Sequence, residues 1–229
     1  MKKIIKLLCV LLLVISLFGC KKDDEEIIGG NSEIDKPINN ENVELKKSVI
    51  VQDLGYIPGE YEIGLILFKV SNNNTKDVKV TINIEYYDSS NRKIDSDEIY
   101  VRVGNNKATY AMMRMYVDKE PFSSYKFTYS VKSDEGYSDI YSKVGVLYSN
   151  SNGKVTIKTT NNSSRVTTAT VYVIFYNSGK IIDVKDYKEY DVTSGSAKSG
   201  SVDYPVDRKG KKMKFDKVEV VLEQVTTDL

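Results

Sequence analysis

Two stretches of the chain, 89 residues apart, carry the same strand-like pattern, and this repetition constrains the fold more than any other feature. Phe68 to Asp88 reads FKVSNNNTKDVKVTINIEYYD, and Ile157 to Asn177 reads IKTTNNSSRVTTATVYVIFYN. Lys69 matches Lys158, Asn72 and Asn73 match Asn161 and Asn162, Thr81 matches Thr170 and Tyr87 matches Tyr176. The same offset pairs Val117 and Asp118 with Val206 and Asp207, and an offset one shorter pairs Lys126 and Phe127 with Lys214 and Phe215. A register held over about fifty residues points to duplication of a whole domain.

Within each copy the period is two. Val78, Val80, Ile82, Ile84 and Tyr86 alternate with Lys79, Thr81, Asn83, Glu85 and Tyr87, which gives a strand one apolar and one polar face. Thr167, Ala169, Val171, Val173 and Phe175 take the inward positions of the second copy. An earlier strand pairs Ile66, Phe68 and Val70 with Val155, Ile157 and Thr159. Late strands are expected at Tyr125 to Val131 and Met213 to Leu222, with a bulge where the inward phase switches between Phe215 and Val218. Clusters of Asn, Ser, Asp and Gly separate these segments. No stretch after residue 20 sustains a 3.6 period. Strands at spacings of about ten residues in units of about 85 suit seven-stranded sandwiches. The expected fold is therefore all-β, two tandem immunoglobulin-like β-sandwich domains at 48–134 and 135–229.

The chain begins MKKIIKLLCVLLLVISLFGC. Lys2, Lys3 and Lys6 make a basic start, and Ile4 to Phe18 is an apolar run too short for the roughly 20 residues a bilayer core requires. Leu17-Phe18-Gly19-Cys20 resembles the lipobox of bacterial lipoprotein signal peptides, with Phe18 where that family usually has a small residue. The resemblance implies that residues 1–19 are a signal peptide cleaved before Cys20. It also implies that the Cys20 thiol carries lipid and that the protein is anchored at the extracytoplasmic face of a bacterial membrane, the outer membrane included where there is one. Residues 20–47, rich in charge and Asn with Gly29, Gly30 and Pro37, read as a flexible tether. About 27 residues of coil span roughly 30 Å on average and about 90 Å when drawn out.

Composition narrows the chemistry. The chain has no histidine, and its two cysteines are Cys9, inside the expected signal peptide, and Cys20. Such a mature chain offers no disulfide, no Ser-His-Asp or Cys-His triad and no zinc site of the His/Cys type. Loss of Lys2, Lys3 and Lys6 leaves 30 basic against 32 acidic side chains, so no basic surplus points to nucleic acid. Paired carboxylates, Ser-Lys chemistry and calcium binding through oxygen remain.

The run from a strand into Asn72-Asn73, then a strand ending Ile84-Glu85-Tyr86-Tyr87-Asp88 with Lys93-Ile94 after it, resembles the FxLYD domain of bacterial envelope proteins. Ile84 stands for that family's Phe and Tyr86 for its Leu; in the second copy Val173, Phe175 and Asn177 replace its Phe, Leu and Asp. The resemblance covers about 45 residues of each copy. It implies a β-sandwich in a surface lipoprotein and brings no catalytic residues.

Candidate sites follow. Asp95, Asp97 and Glu98 lie in IDSDEIYV without the Gly turn of an EF-hand, and a solvated turn is the expected reading. Outward on the central strand of the second copy stand Tyr172, Ile174 and Tyr176, where the first copy has Asn83, Glu85 and Tyr87. Aromatic rings give rigid amphipathic contact area, so this stripe is the candidate partner-binding face. The other reading is a covered seam, with the surplus Leu65 and Leu67 of the first copy as the surface it meets. Met112, Met113 and Met115 are expected in core or edge packing. Together these features imply a non-catalytic, lipid-anchored envelope binding or structural protein. It needs no cofactor, and its partner class is an envelope protein, wall polymer or extracellular peptide. An inhibitor or immunity lipoprotein presenting a turn such as Gly104 to Lys107 to a hydrolase is the alternative, and a carboxylate-based glycan hydrolase the minor one.

Overall fold

Alternation becomes twelve strands in the computed structural model, which describes residues 40–58, 63–116 and 122–227. The expected signal peptide, Cys20, the tether up to residue 39 and the Val117-Asp118 match lie outside the described residues. Residues Asn39–Leu229 form one compact unit. A short helix α1 (Asn40–Lys47) leads into β1 (Val49–Pro58), β2 (Ile63–Asn72), β3 (Val78–Asp88), β4 (Lys93–Val103), β5 (Lys107–Tyr116) and β6 (Phe122–Ser133). A second helix, α2 (Tyr137–Tyr141), leads into β7 (Val144–Ser151), β8 (Lys154–Asn161), β9 (Thr167–Asn177), β10 (Lys180–Val192), β11 (Ala197–Asp203) and β12 (Lys217–Thr227).

Four antiparallel three-stranded sheets result, ordered β1-β2-β5, β4-β3-β6, β11-β8-β7 and β10-β9-β12. The second six strands repeat the pairing of the first six, element for element, as the internal repeat required. The fold is all-β and sandwich-like, with six strands per half among the described residues where spacing had predicted seven. Most strands run 10 to 13 residues, so fewer of them use up the chain.

The period-2 reading places the cores. Val78, Val80, Ile82, Ile84 and Tyr86 on β3 are buried, as are Thr167, Ala169, Val171, Val173 and Phe175 on β9. Facing them are Ile66, Phe68 and Val70 of β2 in one half, and Val155 and Ile157 of β8 in the other. The Lys126-Phe127 match with Lys214-Phe215 does not survive in register. Phe127 lies across from Ile84, and the residue across from the equivalent Val173 is Val220. Phe215 precedes β12 and packs its ring on Phe175 at 5.2 Å and Tyr204 at 4.9 Å. The bulge falls later than expected, at Glu223, where the register of β12 on β9 slips between Leu222 and Gln224.

The expected tether is shortened from its far end, because its last eight residues form α1. That helix buries Leu45 in the first core, lays Lys46 over the Tyr129 ring at 4.6 Å and pairs Glu41 with Lys76 at 2.7 Å. Polar residues fill most of α1, so its single buried leucine left little sequence signal.

The repeated Asn has a structural reason. Asn72 Nδ2 donates to the carbonyls of Lys76, Val103 and Gly104 at 2.9 to 3.1 Å, while its Oδ1 accepts from the Asn74 amide at 3.0 Å. Asn161 repeats the arrangement with Arg165 and Val192, both at 2.7 Å, and accepts from the Ser163 amide at 2.8 Å. Both side chains are fully buried, and each ties one sheet-crossing turn to the end of a strand that is distant in sequence. Truncating either orphans two or more buried carbonyls. Asn161→Ala is expected to cost about 2–4 kcal/mol in urea unfolding, and Asn72→Ala about the same; a cost below 1 kcal/mol in both would remove the staple from the fold.

Candidate functional site

Hydrophobic on both faces, β2 and β9 fix how the two sandwiches meet. Leu65 and Leu67 turn away from the first core, and Tyr172 and Ile174 turn away from the second. They pack together in one cluster with Ile57, Tyr110 and Val184, flanked by Leu54, Met112, Tyr176, Ile181 and Val221. Ile174 and Leu67 are 0% exposed, and Tyr172 is 8% exposed. The structure therefore sets the candidate stripe Tyr172, Ile174 and Tyr176 against the first sandwich, the covered-seam reading of those positions. Met113 and Met115 pack on the first core and Met112 on the seam.

Polar contacts pin the seam. Glu219 accepts the Tyr110 hydroxyl at 3.2 Å from one sandwich and the Tyr176 hydroxyl at 3.0 Å from its own. Arg114 on β5 pairs with Asp186 on β10. At the connection, the Asp77 carboxylate accepts the Ser138 amide at 2.7 Å, the Ser138 hydroxyl at 2.5 Å and the Asn105 amide at 2.8 Å. Burial by itself raises the Asp77 pKa, but those hydrogen bonds and the Arg102 charge outweigh it and hold the group below the usual carboxylate range. Arg102 grips Asp134 through two bonds of 2.5 and 3.0 Å and stacks on the Tyr137 ring at 4.4 Å. The Tyr141 hydroxyl donates to the Leu222 carbonyl at 2.5 Å, fastening α2 to the β12 bulge.

The bulge carries a buried acid. Glu223 is 5% exposed, and desolvation pushes its carboxyl up to about 8 against the pull of Lys188, with the Asp186 charge adding to the rise. Its negative charge adds to the burial that raises Tyr137, Tyr141 and Tyr172, Tyr141 to about 12.

The other sequence candidates are not drawn into this region. Asp95, Asp97 and Glu98 stand exposed on β4, where Asp97 accepts the Tyr86 hydroxyl at 3.1 Å and Asp95 accepts the Ser96 amide at 2.7 Å. Gly104 to Lys107 turns beside the connection, with the Asn105 amide held by Asp77. Among the described residues no group of three or more His, Cys, Asp or Glu is placed to hold a metal ion.

One edge of the seam opens into a cleft of about 570 Å³. Tyr56, Ile57 and Pro58 from the end of β1 form one wall, and Ile181 and Ile182 at the start of β10 with Met213 form the other. Asp207, Arg208 and Lys209 stand at its lip on a hairpin closed by the Val206 to Lys212 bridge and by a 2.9 Å bond from the Met213 amide to the Pro205 carbonyl. Asp207 is consumed by its own turn. It accepts the amides of Lys209 and Lys211 at 2.9 and 3.0 Å, which hold its carboxyl below the usual range. Net charge averaged over the whole chain concealed this hairpin, although DRKGKKMK stands plainly in the sequence.

No protein-family model matches the chain, and no curated protein matches it. Among solved structures, a red sea bream transglutaminase is similar over 70% of this chain at 11% identity and a TM-score of 0.29, and this chain covers 27% of that protein. The N-terminal CBM22-1-CBM22-2 tandem domain of Paenibacillus barcinonensis Xyn10C is similar over 77% of this chain and 98% of its own length, at 7% identity and a TM-score of 0.17. At such scores neither likeness bears on what this chain binds or does.

Glu223 yields a pH prediction. Its folded-state pKa lies above the ordinary carboxylate value, so its contribution to stability is complete below about pH 4.5 and is lost as pH rises through about 8. Thermal melts between pH 5 and 9 are expected to show a decline on the order of 3–5 kcal/mol that Glu223→Gln abolishes. An unchanged slope in the variant would place the titration elsewhere.

Proposed function

We propose that the chain is a lipid-anchored, non-catalytic binding or structural protein of the bacterial cell envelope. The observation that carries this reading is the opening segment, where three lysines, a short apolar run and Leu17-Phe18-Gly19-Cys20 resemble a lipoprotein signal peptide. Cys20 is the lipidation site, and membrane attachment runs through that lipid. The FxLYD-like strands of both halves support an envelope setting. The lack of histidine and of any thiol after Cys20 supports a role in binding rather than catalysis. A pair of sandwiches packed against one another and attached through a lipid at Cys20 suits holding a partner near the membrane. With the Tyr172, Ile174 and Tyr176 stripe packed into the seam, the partner is met by the cleft edge or the turns.

Feeding an alkyne-bearing palmitate to cells that express the chain tests the anchor. The wild type is expected to take up label and sediment with membranes, whereas Cys20→Ser does neither. Labelling that persists in Cys20→Ser, or a wild type free of label, would contradict the reading.

A further inference from the structure

We propose that the cleft at the seam's edge binds an anionic amphiphile, its phosphate or carboxylate head held by the hairpin cations and its apolar part laid between the two sandwiches. This names a ligand class for the binding role proposed above and rests on that reading.

Two independent features meet at this place. The first is a wall of six apolar residues, Tyr56, Ile57, Pro58, Ile181, Ile182 and Met213, drawn from both sandwiches. Its volume, about 570 Å³, falls in the range of small-molecule sites rather than packing faults. The second is charge. Arg208, Lys209, Lys211, Lys212 and Lys214 occupy five of seven consecutive positions, all exposed, in a chain whose formal net charge is only +1. None of the five forms an ion pair of salt-bridge length among the described residues, and the one acid lining the cleft, Asp207, accepts the amides of Lys209 and Lys211 and offsets a single positive charge of the five. The hairpin is anchored at both ends. Tyr204 and Phe215 root it in the second core, and the Tyr204 hydroxyl donates to Asn150 at 2.5 Å.

An apolar floor under a lip with a clear cationic excess selects against neutral amphiphiles and against simple anions alike, because each satisfies only half of the site. The seam makes the walls preformed, so binding does not have to order them. Two sources share this head-group chemistry, an acidic lipid within a bilayer and a free anionic amphiphile.

Met213 supplies the reporter. The chain from residue 21 onward contains every core cluster; made with methyl-13C methionine, it is titrated with dihexanoylphosphatidylglycerol below its micelle concentration. The Met213 methyl resonance is expected to shift saturably while Met112, Met113 and Met115 stay in place. Dihexanoylphosphatidylcholine is expected to bind about tenfold more weakly, and Arg208→Glu with Lys209→Glu to weaken the anionic ligand by about tenfold or more. Lys158→Glu, on exposed β8 surface, leaves binding unchanged, and unmoved Met112, Met113 and Met115 signals show that the charge-reversed variant is folded. Phosphatidylglycerol vesicles form the second arm. A Met213 shift with vesicles alone assigns the ligand to a bilayer, and a shift with the short-chain lipid alone assigns it to a free amphiphile; both support the site. Absence of any saturable Met213 shift overturns it, as does equal response to the zwitterionic lipid. Salt-sensitive vesicle binding without a Met213 shift overturns it too, since the hairpin then acts by surface charge only. The unlipidated protein is used, so failure here leaves the Cys20 reading intact.

Discussion

Two strands in this molecule are apolar on both faces, and a sheet with two apolar faces cannot end in water. From Leu65 to Phe68 and from Val171 to Phe175 every side chain is buried. One face of each strand fills its own sandwich, as period 2 requires, and the other is left over. The two surplus faces satisfy each other. Fully burying a Leu or Ile is worth about 1.5–3 kcal/mol, so a seam built on Leu65, Leu67, Ile174 and Val184 outweighs the modest contacts typical between domains of one chain.

The remaining polar architecture serves or follows from that seam. Glu219 collects a tyrosine hydroxyl from each sandwich, and the Asp77, Ser138 and Asn105 cluster stiffens the connection that a tandem repeat usually leaves loose. Glu223 is the exception. A bulge in β12 places it on the packed side, where desolvation makes the protonated acid the comfortable form near neutral pH. Where the seam runs out, at the end of β1 and the start of β10, two apolar walls diverge beside a cationic hairpin and leave a cleft of about 570 Å³.

Much of this was legible in the sequence because β-structure writes itself in period 2. The alternation of β3, its echo in β9 and the paired Asn turns were readable directly, and the surplus at Leu65, Leu67, Tyr172, Ile174 and Tyr176 marked faces that required covering. Which surface covers them is a three-dimensional fact, and a stripe destined for a seam looks the same as one destined for a partner. Helix α1 was hidden by its polar composition, its docking resting on Leu45 and a few side-chain contacts. The Phe127 and Phe215 match misled because similar residues recur by chance, whereas register is set by hydrogen bonding. The cleft was illegible because Tyr56, Ile181 and Met213 are far apart in the chain, and its basic lip vanished in an almost neutral average.

Residual dipolar couplings test the seam most directly. Amide couplings from residues 49–116 and from 144–227 are measured in one aligning medium and fitted separately. If the buried faces lock the sandwiches, one alignment tensor fits both sets. Two tensors of different magnitude would mean that the halves reorient independently, and that the face joining Leu67 to Ile174 does not hold them together.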